Sequence, residues 1–555
     1  MFTATAALLA AGCHWLDKEP LSQVTPDQYF TNESAVLSFV DGRYTEFLSA
    51  HGGWSSIDGY DYGMFQKDAT TDDQISASGP GDKYLGLWLV PQTGGGFEFS
   101  NIYKINWFLN QIKAEYEAGT IGGSKANIDR YIGEAYFLRA WAYFSKLQSF
   151  GDYPIVTEPI ADKKEDLIAA SVRKPRNEVA RFILSDLDRA IELMGTTQMT
   201  NTRIGQKAAW LLKSRVALFE GSWLSVVTFA QRGNNGTGLT RGLIDSYLCK
   251  DGLPVYASPL YKGDKTFSDV REGRDTRLSC FLKEPGQKNW IYPTTEANQA
   301  IETEPVPQFT GATVTYCTGY STRKGNSLYQ KQAGQRSSTT GCIVMRGAEA
   351  LLNYIEACYE LNGSLNAKAE SYWKALRRRA GVDEDFSKTV AATDMSREAE
   401  NDWGAYTAGQ LVDAMRYNIR RERRSEFMVE GMRWTDLLRW RALDQMVTTP
   451  YNPEGIHIWS DGMQGIYAAA GIALNNDGSS TSNVSPKSAS EWLRPYQFTS
   501  TQLGYNGLGW KMAHYLSPIN AKEFLLTSAD GKDKDSSPLY QNPYWSKDAD
   551  TAPLK

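Results

Sequence analysis

Apolar residues recur at helical spacing along much of the chain. After Asn32, the residues Val36, Val40, Tyr44 and Leu48 follow one another at four-residue steps. This pattern predicts a helix with one apolar face and with Asn32 as its N-cap. Further helices are predicted from a start signal at 25–28 and from stripes of the same period over 128–142, 176–194 and 204–223.

Three segments mix alanine with large apolar residues at the same spacing. They are GEAYFLRAWAYF (133–144), AAWLLKSRVALFEG (208–221) and AEALLNYIEACYELNG (348–363). Alanine leaves little side chain between two helices, so that neighbouring helices can approach closely. Paired helices of this character indicate a tetratricopeptide-like helical-repeat scaffold. The predicted fold class is therefore all-α.

Two long stretches interrupt the helical pattern. Residues 226–340 and 450–510 are rich in Gly, Asn, Pro and Ser, and the second stretch contains Trp459 and Trp492. Irregular segments on a helical scaffold are where binding residues usually lie. The predicted organisation is a signal remnant at 1–13, an N-terminal helical region at 14–225, a loop-rich ligand-binding insertion at 226–340 and a C-terminal region at 341–555.

Charge and hydropathy exclude two classes of protein. The 555 residues include 59 Lys and Arg against 64 Asp and Glu, which gives a net charge of −5. Proteins that bind nucleic acid through its phosphates usually carry a basic domain, and this chain has none. The mean hydropathy is −0.45, and the chain has no apolar run of about 18 residues, which argues against a transmembrane helix.

The amino-terminal sequence MFTATAALLAAGC is a run of apolar and small residues that ends in Cys13. It resembles the end of a bacterial lipoprotein signal, in which the cysteine is lipidated and becomes the first residue of the mature chain. On this interpretation Cys13 is the lipidation site, and HWLDKEPLSQV is a spacer above the membrane. The alternative is a disordered tail with an unrelated cysteine.

The other cysteines show no CxxC pair, so the sequence gives no support to a zinc ribbon or a thioredoxin-like site. Cys358 lies in a periodic segment, where a buried core residue is expected. One disulfide among the remaining four is possible in an oxidising compartment; these four are Cys249, Cys280, Cys317 and Cys342.

Catalytic and cofactor motifs are missing from the sequence. The chain has four histidines and contains no HExxH, no GxSxG and no dinucleotide-binding glycine motif. The glycine-rich segment 119–126 is interpreted as an interhelical loop, and the acidic segment 530–538 as a solvated loop. No carboxylate pair stands out for glycoside hydrolysis. We therefore predict no catalytic residue, no cofactor and no metal site.

Aromatic residues beside small polar residues indicate a different chemistry. Pyranose rings pack their C–H faces on Trp and Tyr, and their hydroxyls need polar partners. Both residue types occur together in 72–107 and 290–329. For each aromatic residue the alternative is packing beneath a loop. The candidate ligand-binding residues are Asp73, Tyr84, Trp88, Trp290 and Tyr320.

The segment RRERRSEFMVEGMRWTDLLRW at 420–440 is the most densely charged part of the chain. Glu422 and Glu426 continue the apolar face that Leu411, Met415 and Ile419 begin. Glutamates on a buried face need cationic partners, and the segment's net charge is only 6 − 4 = +2. A buried ion-pair network is predicted rather than a nucleic-acid surface. The expected partners are Arg423, Arg424 and Arg433.

Several of these segments together resemble the SusD/RagB family of outer-membrane nutrient-binding lipoproteins. The resemblance lies in WLDKEPLSQVTPDQYF after the cysteine, in IGEAYFLRAWAYFSKLQSFGDYPIVTEP at 132–159 and in the arginine-rich segment. It continues in HYLSPINAKEF at 514–524 and QNPYW at 541–545.

The resemblance implies an all-α fold of four tetratricopeptide-like helix pairs with a looped ligand-binding lobe. It implies a surface lipoprotein of the outer membrane that captures an oligosaccharide or polysaccharide and delivers it to a SusC-like TonB-dependent transporter. It implies no catalysis. Two alternatives stay open: a secreted glycan-cleaving enzyme on a helical scaffold, and a peptide-capturing helical-repeat protein.

Overall fold

The structure is a computed structural model that describes residues 29–48, 53–56, 59–61, 67–196, 202–219, 236–288, 303–311, 315–325, 329 and 345–555. Helices form most of its regular structure, and its strands have two to four residues each. The predicted all-α class is confirmed.

The first part of the chain contains eight helices and three short strands within the described residues. The helices are α1 (Glu33–Phe47), α2 (Asp82–Leu85), α3 (Ser100–Gln111), α4 (Lys113–Ala118), α5 (Lys125–Phe150), α6 (Lys164–Ala170), α7 (Arg176–Met194) and α8 (Gln206–Phe219). The strands are β1 (Gly53–Ser56), β2 (Gly59–Asp61) and β3 (Gln74–Ile75).

The remaining described elements are mostly helical as well. They are β4 (Gly238–Leu239), α9 (Arg241–Ser246), α10 (Phe267–Arg271), α11 (Thr276–Phe281), α12 (Gly347–Asn362), α13 (Ala367–Ala380), α14 (Phe386–Ala392), α15 (Met395–Glu398), β5 (Tyr406–Thr407), β6 (Gln410–Leu411), α16 (Ala414–Glu426), α17 (Arg433–Arg439), α18 (Asp461–Ala469) and α19 (Ala521–Leu526). The strands pair antiparallel as β1–β2, β3–β4 and β5–β6.

Helix α1 follows the predicted pattern. The Asn32 side chain accepts a hydrogen bond from the Ala35 amide at 3.1 Å, which caps the helix. Val36 and Val40 are fully buried. The last residue of the predicted stripe, Leu48, lies just beyond the helix as its C-cap.

Helix α5 is the centre of the helical scaffold and packs against α1, α3 and α7. A side chain at Gly133 would meet Met194 Cγ at 2.8 Å and the Ala190 carbonyl at 3.1 Å, so α5 and α7 are in close contact there. The buried pair of Arg139 and Asp186, at 2.7 Å, joins the same two helices. Helices α5 and α7 therefore approach each other closely at small residues, as the sequence predicts.

The hydrophobic cores join distant parts of the sequence. One core combines α1, α3, α5, α7 and α8 with Ile519, Phe524 and Leu539 near the carboxyl end. A second core lies beneath the irregular lobe and combines residues 239–320 with 428–498. A third core joins α8, α12, α13 and α16.

Helix α16 confirms the prediction that the arginine-rich segment is buried. All residues from Tyr417 to Glu426 lie in the interior. The helix begins one residue after Asp413, whose carboxylate caps the Arg416 amide at 2.8 Å. Leu411 precedes the helix, in β6, and is exposed, so it does not share the helix face as predicted.

The ion pairs of α16 differ in detail from those predicted. Glu426 pairs with Arg277 at 2.9 Å and also with Arg346 and Arg379, which come from other segments. The predicted partners of Glu426 point elsewhere. Arg423 pairs with Asp436, whereas Arg424 and Arg433 pair with Asp72, Asp73 and Asp402. Sequence proximity selected the wrong partners because these long side chains reach across to other elements.

The described cysteines Cys249, Cys280, Cys317 and Cys358 carry free thiols, so no disulfide forms among them. Cys358 is buried in the third core, as expected. Cys13 and Cys342 lie outside the described residues. Among the helices that the structure describes, none is long and apolar enough to span a bilayer.

We predict that Glu426→Gln lowers the free energy of unfolding by roughly 3–5 kcal/mol, because three arginines lose the charge that compensates them. Urea denaturation measures the change, and ligand affinity should stay unaltered. Glu192→Gln is the matched control, since Glu192 is 69% exposed and pairs with Arg189 at the surface; it should change stability by less than about 0.5 kcal/mol. A stable Glu426→Gln variant would contradict the proposed role of the network.

Candidate functional site

Three of the predicted ligand-binding residues lie in the interior, which differs from the expected exposure. Asp73 is 2% exposed and pairs with Arg424. Tyr84 is 4% exposed, and its hydroxyl donates to the Thr70 carbonyl. Tyr320 is 2% exposed, within the core of the irregular lobe. For both tyrosines, packing beneath a loop is the observed arrangement, because an apolar ring gains more from a core than from a wet surface.

Trp88 lies at the surface and is half-buried. Its ring meets the Trp545 ring edge-on, with the centroids 5.1 Å apart. The Lys83 ammonium lies 4.3 Å from the Trp88 centroid and 4.8 Å from that of Trp434. Trp290, the fifth predicted ligand-binding residue, lies outside the described residues.

The surface around Trp88 is formed by helix α2, helix α17 and segments near the carboxyl end of the chain. Helix α2 supplies Lys83 and ends at Gly86, whose φ of 69° reverses the chain before Trp88. Gly86 also lies beside Lys511: a side chain at Gly86 would meet Lys511 Cε at 3.3 Å. We call this surface the Trp88 patch and define it by Lys83, Trp88, Trp434, Lys511 and Trp545.

Burial changes the protonation of two groups at the Trp88 patch. His514 lies beneath it, with its ring 5.5 Å from that of Trp88 and stacked on Trp545. Burial, together with the charges of Lys83 and Lys511, lowers the pKa of His514 to about 4. Burial also lowers the pKa of Lys83, to about 8. The patch therefore combines aromatic rings with the amino groups of two lysines, above a His514 ring whose neutral form is favoured.

A second candidate is a cleft of about 490 Å³ on the irregular lobe. One wall is the half-buried Trp459, whose indole N–H donates to the Ser485 carbonyl at 3.1 Å and fixes the ring. The Gln464 amide lies at the same cleft and donates to the Trp459 carbonyl at 3.0 Å. Ala468, Gly471 and Leu474 complete much of the lining. An indole wall and a side-chain amide suit a sugar ring.

A third cleft, of about 350 Å³, lies between α9 and residues 397–402. Three of its four acidic side chains are engaged, and the fourth, Glu400, is exposed to solvent. Glu398 accepts hydrogen bonds from Tyr256 and Tyr417 at 2.8 Å, and it pairs with Arg421. Asp245 pairs with Arg241 at 3.1 Å. This cleft is an opening onto the buried ion-pair network, and we do not assign it a ligand.

The sequence pattern indicates Trp88 and the loops around Trp459, but it does not indicate Lys83 or Lys511. Lys83 stands five residues before Trp88, and Lys511 is more than 400 residues from both. No local pattern relates them. In the described part of the chain, no three His, Cys, Asp or Glu side chains are placed to hold a metal ion.

The fold and this surface define a helical-repeat scaffold with an irregular lobe and partly exposed aromatic side chains. A family model described as the SusD family matches residues 197–545. Another, described as "Starch-binding associating with outer membrane", matches residues 97–218. The first match covers more than half of the chain, and the chain belongs to the SusD family.

Individual relatives are distant but extensive. The SusD-like protein P2 of Formosa agariphila is 24% identical over 489 residues, which cover 81% of this chain and 91% of that protein. A SusD-like protein of Bacteroides ovatus is 22% identical, over 79% of this chain and 81% of its own length. The family resemblance predicted from the sequence is therefore confirmed.

Solved structures share the fold. A SusD-like protein from Bacteroides fragilis superposes with a TM-score of 0.59 at 19% identity, over 95% of this chain and 100% of that chain. A SusD-like carbohydrate-binding protein from the same species gives a TM-score of 0.57 at 16% identity, over 90% and 99%. At such low identity these structures establish the architecture and leave the ligand open.

We predict that His514 makes folding pH-dependent. The unfolded chain takes up a proton below its ordinary pKa of 6.5, whereas the folded chain does so only near 4. The contribution of His514 to the free energy of unfolding is therefore fully present above pH 6.5 and is lost as the pH falls towards 4. Between pH 7 and pH 5 the wild type should lose about 2 kcal/mol more than His514→Phe, as measured by urea denaturation. Parallel pH profiles for the two proteins would contradict this assignment.

Proposed function

We propose that this protein is a non-catalytic glycan-binding lipoprotein of the cell surface, which delivers an oligosaccharide or polysaccharide to a TonB-dependent transporter of the outer membrane. Membership of the SusD family supports glycan binding. The description of the second family model and the carbohydrate-binding relative from Bacteroides fragilis support it further.

The observation that carries the proposal is the Trp88 patch. Trp88 and Trp434 are half-buried, so each retains exposed ring surface for the C–H face of a sugar. Lys83 and Lys511 lie beside them as hydrogen-bond donors for ring substituents. Trp545 and His514 hold Trp88 from below, so the ring is positioned before a ligand arrives.

The state of the carboxylates supports binding rather than cleavage. Glycoside hydrolysis needs two acids, one of which acts as a proton donor near neutral pH. At the polar cleft, Glu398 pairs with Arg421, and Asp402 pairs with Arg424 and Arg433. Burial raises the pKa of Asp245, which pairs with Arg241. Arginine pairing lowers the pKa of Asp402 far below its ordinary value, against the burial that opposes it. Such a carboxylate is a poor general acid.

Attachment to the outer membrane is proposed from the sequence. Cys13 ends the lipoprotein-like signal segment. A single acyl chain binds membranes only weakly, whereas several chains on one cysteine give stable anchoring. We propose a SusC-like transporter as the protein partner on the basis of the family.

Incubation with a panel of oligosaccharides should give saturable binding by calorimetry and return every oligosaccharide at its original length by chromatography. The physical reason is a preformed aromatic surface whose two lysines meet no carboxylate among the described residues. Shortened products would instead support a glycan-cleaving enzyme. Saturable binding of peptides but of no saccharide would support the peptide-capturing alternative.

Trp88→Ala should weaken glycan binding by roughly 1–3 kcal/mol, the scale for losing a central aromatic contact. Trp290→Ala is expected to act in the same way. Trp210→Ala is the matched control, because Trp210 is 53% exposed on helix α8 of the scaffold; the affinity of this variant should equal that of the wild type.

Trp459→Ala tests the cleft on the irregular lobe. Loss of binding in Trp459→Ala but not in Trp88→Ala would move the site there.

A further inference from the structure

The Trp88 patch contains two cations that lack an ion-pair partner within the described residues. The Lys83 ammonium faces two indole rings, and burial is the cause of its lowered pKa. Lys511 lies near the same surface, since both lysines act on His514. In the described part of the chain, no carboxylate lies within 4.0 Å of either ammonium.

Two other lysines of the described chain that are largely withdrawn from solvent are compensated. Lys283 pairs with Glu304 at 3.1 Å, and Lys324 pairs with Glu430. This is the usual arrangement, because an ammonium removed from water is costly unless a negative group replaces the lost hydration. Two indole faces recover only part of that cost. Lys83 is therefore a half-buried cation that faces two indole rings and no carboxylate of the described residues.

The nearby acids do not fill this gap. Asp444 is engaged with Arg441 and with the Tyr515 hydroxyl, the latter at 2.7 Å. Asp82 precedes Lys83, and its side chain is exposed to solvent. The chain as a whole carries a net charge of −5, so the positive character is a local property of this surface.

We propose that the Trp88 patch binds an acidic saccharide, in which a carboxylate or sulfate group contacts Lys83 and Lys511 while the sugar ring packs on an indole. An anion would supply the charge that Lys83 lacks, through a charge-assisted hydrogen bond. The indoles would exclude water from that contact and strengthen it. This inference rests on the proposed glycan-binding function and specifies the class of glycan.

The test is affinity electrophoresis of the full chain in detergent against three groups of polysaccharide. Dextran, starch and galactan are neutral, polygalacturonate and alginate carry carboxylates, and carrageenans carry sulfates. The polysaccharide that binds most tightly should be an acidic one. Comparing the affinities of the carboxylated and the sulfated polysaccharides shows which anion the protein prefers. Binding should weaken as salt rises, because the contact is between charges.

Site variants connect the binding to Lys83. Lys83→Gln should weaken the acidic ligand roughly tenfold, since a desolvated charged contact is lost, and Lys83→Arg should retain most of the affinity. Lys511→Gln should weaken it by a smaller factor. Lys368→Gln is the matched control, because Lys368 also lies over two aromatic rings, Tyr354 and Tyr372, on helix α13. Circular dichroism checks that each variant is folded.

The outcomes separate this inference from the proposed function. Preferred binding of a neutral glycan that Trp88→Ala weakens and Lys83→Gln does not would overturn the acidic ligand and leave glycan binding in place. Binding of no polysaccharide would count against both. Lys83-dependent binding to phosphatidylglycerol vesicles, without binding to any acidic glycan, would overturn the inference in favour of a lipid surface.

Discussion

The buried charges of helix α16 are the constraint on which the rest of the fold depends. Arg424 reaches Asp72 and Asp73, Arg433 joins the same acids, and Glu426 collects arginines from other segments. Each of these charges is tolerated in the interior only because an opposite charge is in place. The network therefore fixes where the loop at 68–73 lies against α16. Helix α2 follows that loop, and the position of the Trp88 patch follows from helix α2.

Positive charges in the interior and at the Trp88 patch are surrounded by different groups. In the interior, buried cations face carboxylates or, as at Arg274 and Arg420, backbone carbonyl oxygens that accept their hydrogen bonds. At the Trp88 patch, Lys83 faces aromatic rings in place of carboxylates. Lysines thus stabilise the scaffold where a carboxylate faces them, as Lys283 and Lys324 do. At the Trp88 patch, the Lys83 ammonium faces no carboxylate of the described residues. This contrast locates binding more sharply than aromatic content alone, which is high throughout the chain.

The sequence predicted what depends on local periodicity. Helix α1, its Asn32 cap and the burial of Glu422 and Glu426 all follow from spacing along one helix. What it could not predict depends on distant contacts. The partners of Glu426 and the approach of Lys511 to Gly86 leave no mark on neighbouring residues. Tyr84 and Tyr320 show the same limit, because an aromatic residue in a loop-like sequence looks alike whether it is buried or exposed.

Ion pairs across long stretches of chain also affect how the protein is made. The contact between Asp73 and Arg424 spans 351 residues. During vectorial synthesis the acids at 72 and 73 emerge long before their arginine partners, and the nascent chain cannot complete its interior until helix α16 follows. Native contacts of such high sequence separation slow folding and prolong the exposure of apolar surface. The interior of this scaffold is therefore completed only when the last third of the chain is available.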